Sequence, residues 1–71
     1  METPDIAATV RAELARQRKS QISLQQRLGI SRTSMHRRMS GEYPFDARQL
    51  AIVADYLGTT VGELFGERAS A

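Results

Sequence analysis

The chain has 71 residues, no cysteine and a single histidine, His36. It fits one small domain and excludes a disulfide framework, a cysteine-based zinc site and a histidine cluster. The formal net charge is +2, yet eight basic residues between Arg11 and Arg38 meet one acid, Glu13, while the flanks are acidic; this asymmetry reads either as a face for a polyanion or as a solvated helix surface.

A chain this short buries little surface. Helices suit it, because each satisfies its own backbone. Thr3 reads as the first N-cap, with Pro4 at the first helical position and Asp5 complementing the dipole. Ile6, Val10 and Leu14 then recur every fourth residue, which predicts a helix to about Arg18. Ser20 is the next N-cap. Leu24 and Leu28 form its stripe, and Gly29 closes a helix over Gln21 to Leu28.

Ser31 caps a third helix, Arg32 to about Met39, that Gly41 ends. Ile30 and Met35 are spaced as a hydrophobic staple. Only Gly29, Ile30 and Ser31 join the second and third helices, so the two must cross steeply. Tyr43-Pro44 interrupts the helical pattern. Asp46 with Gln49 opens the fourth helix, Phe45 is placed to staple onto Leu50, and Leu50, Val53, Ala54 and Leu57 form the apolar face up to Gly58. Thr60 and Glu63 make a capping-box pair for a last short helix carrying Val61, Leu64 and Phe65. Gly66 stops it, and Glu67 to Ala71 reads as a frayed tail.

The longest apolar run, Leu50 to Ala54, falls far short of the ~20 residues of a membrane span. The start Met1-Glu2-Thr3-Pro4-Asp5 is acidic and does not read as a signal peptide. Cytoplasmic placement is the expectation. Enzyme chemistry has little to stand on: no glycine-rich phosphate loop occurs, and the carboxylates are spread over caps and helix surfaces. No catalytic residue, cofactor, metal or small-molecule ligand is expected.

The informative stretch is Gln21 to Met39. Apart from Met35 and Met39, every residue of its second helix carries a polar or charged side chain. Such a helix gains little from burial, so its exposed face is available to read something. Met35 and Met39 themselves read as core.

Residues Ser20 to Leu64, about two thirds of the chain, resemble the Cro/phage-repressor, or xenobiotic-response-element, type of helix-turn-helix domain. The matching residues are Ser20-Gln21, Leu24, Leu28-Gly29-Ile30-Ser31-Arg32, Met35, Gly41, Pro44, Leu50, Ala54-Asp55-Tyr56-Leu57-Gly58 and Val61-Gly62-Glu63-Leu64. Three positions depart from that pattern. Gln25 stands where the family usually has alanine, Arg38 where it often has an aromatic or β-branched residue, and Ser23 where a capping-box glutamate is common.

The resemblance implies an all-α, compact five-helix lambda-repressor-like helix-turn-helix domain over residues 1–66. The helix-turn-helix motif spans 21–39, and 67–71 form a disordered tail. By matching position, the recognition helix, residues 32–39, enters the major groove of a double-stranded DNA operator, and Arg32, Thr33, Ser34, His36 and Arg37 contact base edges. Gln21 matches the position that fixes a backbone phosphate. Arg11, Arg18, Lys19, Ser31, Arg38, Tyr43 and Arg48 are further phosphate candidates.

The implied function is a stand-alone, phage Cro-like transcriptional repressor in the bacterial host cytoplasm, associated with the nucleoid. Two copies on a two-fold operator would supply the affinity, through a weak homodimer patch near Ile52, Tyr56, Leu64 and Phe65. Ile52 and Tyr56 read equally as packing on the last helix. Alternatives are an antitoxin-type module, a module cut from a larger repressor that binds a protein partner, and a DNA-architectural excision factor.

Overall fold

Local capping signals open five helices in the computed structural model, which describes residues 5–66. They are α1 (Ile6–Gln17), α2 (Gln21–Leu28), α3 (Arg32–Met39), α4 (Ala47–Leu57) and α5 (Val61–Leu64). No strand occurs among the described residues, so the all-α, five-helix expectation stands. The expected tail over 67–71 lies outside the described residues.

Four of the five predicted caps close as expected. The hydroxyls of Ser20 and Ser31 accept the N–H of Ser23 and Ser34, at 3.0 and 3.1 Å. Asp46 with Gln49 and Thr60 with Glu63 form complete capping boxes. Each cap satisfies donors that a first helical turn leaves without partners.

The first helix differs. Its N-cap is Asp5, whose carboxylate accepts the N–H of Ala8 at 3.0 Å. Asp5 directly precedes Ile6, and its extra charge complements the helix dipole. The expected cap Thr3 and first helical residue Pro4 lie outside the described residues. At the other end α1 stops at Gln17, and Arg18 takes the left-handed conformation with φ 57°. Its N–H and that of Lys19 donate back to the carbonyls of Ala15 and Leu14, the closure that glycine usually provides.

The core draws on every element. Val10, Leu14, Leu24, Leu28, Met35, Met39, Phe45, Val53, Ala54, Leu57 and Leu64 form one buried cluster. α4 packs on α2, α1 and α5, and α1 also packs on α3 and α5. Ile30 and Leu50, the predicted staple residues, sit partly buried against this cluster. Between α2 and α3, Gly29 adopts φ 68° and its N–H donates to the carbonyl of Gln25 at 2.9 Å. That turn sets α3 across α2 in three residues.

The suggested surface patch needs one correction. Leu64 is only 2% exposed and belongs to the core, because α5 is pinned by its short turn onto α4 and α1. Ile52 and Tyr56 are partly buried against the core, and Phe65 remains exposed.

Candidate nucleic-acid interface

α3 carries its polar residues as an outward arc. Met35 and Met39, one turn apart, are buried. Arg32, Thr33, His36 and Arg37 are exposed, and Ser34 and Arg38 are half-buried at the margins. At about 100° per residue the four exposed positions fall within roughly 140° of the helix circumference. The structure therefore brings four of the five expected base-reading residues to one free face. Ser34 lies at the edge of that face, its N–H bound to the Ser31 cap.

Gln21, the first residue of α2, flanks this arc. It lines one shallow groove with Ile22, Gln25, Arg32, Met35 and His36, and another with Arg11, His36, Met39 and Ser40. Gln25, at the position where the family usually has alanine, is only partly buried and opens to the first of these grooves. The side chain of Ile22 is what the sequence left without a role. It is 61% exposed, an aliphatic side chain beside Arg32 and His36. The signal was present, because Ile22 falls out of phase with the Leu24–Leu28 stripe.

The remaining cations divide into engaged and free. The Arg11 guanidinium donates to the carbonyl of Met39, at the C-terminus of α3. Lys19 donates to the carbonyl of Tyr56 at 2.6 Å and lies 4.7 Å from the centre of the Tyr56 ring. Gln17 donates to the carbonyl of Leu57 at 2.9 Å. These three thus cap the C-terminal carbonyls of α3 and α4, where helix ends lack internal partners and positive charge is favoured. Arg38 donates through Nε to Gln49 Oε1 at 3.0 Å, the same oxygen that accepts the N–H of Asp46. Arg11, Lys19 and Arg38 therefore have structural partners in the fold, which their candidacy as phosphate contacts did not anticipate.

Arg27 lies 3.9 Å from Asp55 and 5.4 Å from the Tyr56 ring. Arg16 pairs with Glu13 at 2.6 Å. The hydrogen bond and charge of Glu13 hold its guanidinium even more firmly protonated than usual. By contrast, the side chains of Arg18, Arg32, His36 and Arg48 have no hydrogen-bonding or ionic partner among the described residues. Arg48 pairs with neither Asp46 nor Glu42. The side-chain N–H groups of Arg37 also have no hydrogen-bond partner among the described residues; its charge sits over the Tyr43 ring, 5.5 Å from the centre.

Among the described residues no three acidic, histidine or cysteine side chains gather to hold a metal ion. No helix among the described residues is long and apolar enough to cross a membrane. The family model described as BetR domain matches residues 5–71. No curated protein and no solved structure matches the chain.

Proposed function

The chain belongs to the BetR domain family, a small helix-turn-helix-like domain of regulatory proteins, and on that premise we propose that it is a sequence-specific double-stranded-DNA-binding transcriptional regulator. It acts as a repressor of the phage Cro-like kind, occupying an operator and excluding polymerase. The observation that carries this reading is the outward arc of α3: Arg32, Thr33, His36 and Arg37 exposed together over a base of buried methionines.

A helix with its side chains is ~10–12 Å across, and the major groove is about as wide. With α3 in that groove, Arg32 and Arg37 are suited to paired hydrogen bonds with guanine O6 and N7. Thr33 offers a methyl group for thymine. Ser34, half-buried, reaches only the edge of the groove, and His36 donates or accepts according to its tautomer. Gln21, with the free N–H groups of the first turn of α2, grips a phosphate. Ser31, Arg18 and Arg48 add sequence-independent hold. Two copies on a two-fold operator, with half-sites about one helical turn or ~34 Å apart, supply the affinity that one small domain lacks. The exposed Phe65 and the partly buried Ile52 and Tyr56 are the residues left to supply the weak homodimer contact.

Selection of bound duplexes from a random pool, followed by titration at several salt concentrations, tests the reading. A defined and palindromic motif is expected, with log affinity falling by about 0.9 per log unit of salt for each phosphate neutralised. Failure to enrich any sequence, or an affinity indifferent to salt, refutes it.

A further inference from the structure

Tyr43 follows α3 by four residues, in the loop before Pro44, and is 47% exposed. Its ring faces the Arg37 guanidinium, whose central carbon lies 5.5 Å from the ring centre. The loop is tied to the same residue through the backbone. The Arg37 carbonyl accepts from the hydroxyl of Ser40 at 3.0 Å, from the N–H of Glu42 at 3.0 Å and from the N–H of Tyr43 at 3.3 Å. Arg37 is thus gripped at both ends, its main chain by the turn and its charge by the ring.

This grip differs in kind from an ion pair. A ring face attracts the cation through its quadrupole. Among the described residues no carboxylate neutralises the charge, and no carbonyl or side-chain oxygen takes up the N–H groups that a guanine needs. An unsupported arginine on a helix surface has rotamer entropy to lose on ordering. Removing part of that loss beforehand favours the bound state.

We infer that Tyr43 is a positioning residue: its ring holds Arg37 extended and pre-ordered for reading a base. The inference rests on the proposed DNA-binding role. It differs from the sequence expectation for Tyr43, which makes it a phosphate contact. The ring, and not the hydroxyl, does the work.

Tyr43→Phe and Tyr43→Leu separate the two, measured on the duplex selected by the wild-type protein and on random duplex, each variant first checked for an unchanged melting profile. A cation over an exposed ring contributes about 0.5–1 kcal/mol, or roughly a two- to fivefold change in affinity. Tyr43→Leu is expected to weaken the selected site by that factor and leave random duplex unchanged, with Tyr43→Phe restoring the wild-type preference. In an Arg37→Ala background the leucine change should have no further effect. Equal loss for Phe and Leu on both duplexes, or an undiminished leucine effect without Arg37, overturns the inference.

A second readout needs no DNA. Nuclear relaxation of the Arg37 Nε–H in the free protein should show more motion in Tyr43→Leu and wild-type order in Tyr43→Phe. No change in Tyr43→Leu overturns the positioning role even if DNA binding holds. Wild-type protein that selects no duplex, with the relaxation difference present, refutes the DNA-binding reading and leaves the ring contact standing.

Discussion

Replacing Gln49 by methionine is expected to loosen the joint between the recognition helix and α4. Gln49 is 6% exposed, and its Oε1 accepts from Arg38 Nε at 3.0 Å and from the Asp46 N–H at 3.1 Å. Methionine has a similar length and no such acceptor. Losing a hydrogen bond from a charged donor costs about 1.5–3 kcal/mol, and the low end applies because Arg38 is half-buried and can turn to water. The Asp46 N–H adds about 0.5–1 kcal/mol. The thioether's greater affinity for the core offsets about 1 kcal/mol. The net is a loss of about 1–1.5 kcal/mol, or a melting temperature lower by roughly 4–12 °C in a domain of this size. Thermal unfolding followed by circular dichroism reads it directly. A cycle with Arg38→Met should return a coupling of about 1 kcal/mol between the two side chains. A methionine variant as stable as wild type, or a cycle without coupling, refutes the view that Arg38 is anchored to the fold through Gln49.

Arg18→Gly should stabilise the domain by about 1 kcal/mol, since a side chain at φ 57° is strained and glycine is not; in DNA titrations the same change should shallow the salt dependence by about one phosphate's worth. Gly29→Ala should cost about 1–2 kcal/mol in urea unfolding. A Cβ there meets nothing within 4 Å, so the whole penalty is backbone strain at φ 68°, and an unchanged midpoint would contradict it. Arg37→Ala should weaken the selected duplex by about 1–3 kcal/mol and relax one base position. An equal loss on random duplex would mean that Arg37 holds a phosphate.

The punctuation of this fold was legible because it is local. Ser20, Ser31, Asp46 and Thr60 each bond a backbone N–H three residues away, so four residues contain the whole interaction. Gly29 is equally self-contained, since its positive φ depends on the turn and on lacking a Cβ. The outward arc of α3 followed from Met35 and Met39 alone: once one stripe is apolar, the other positions must face away. The start of α1 is local too, because the capping Asp5 lies directly against the first apolar residue, Ile6.

Tertiary structure decided which cations are free. Arg11, Lys19 and Arg38 look in the sequence like Arg18, Arg32 and Arg48, yet their donors reach Met39, Tyr56 and Gln49, residues 28, 37 and 11 positions away. A long flexible side chain carries no mark of its partner, and only the crossing of the helices brings a bare helix end or a buried amide within its reach. The same holds for Leu64, whose burial depends on where α5 lands, whereas Tyr43 reaches Arg37 through the turn that directly follows α3. The sequence by itself determined which helix turns its polar face outward. The packing determined which of the surrounding charges remain available to a ligand, because that depends on distances between elements and not on order along the chain.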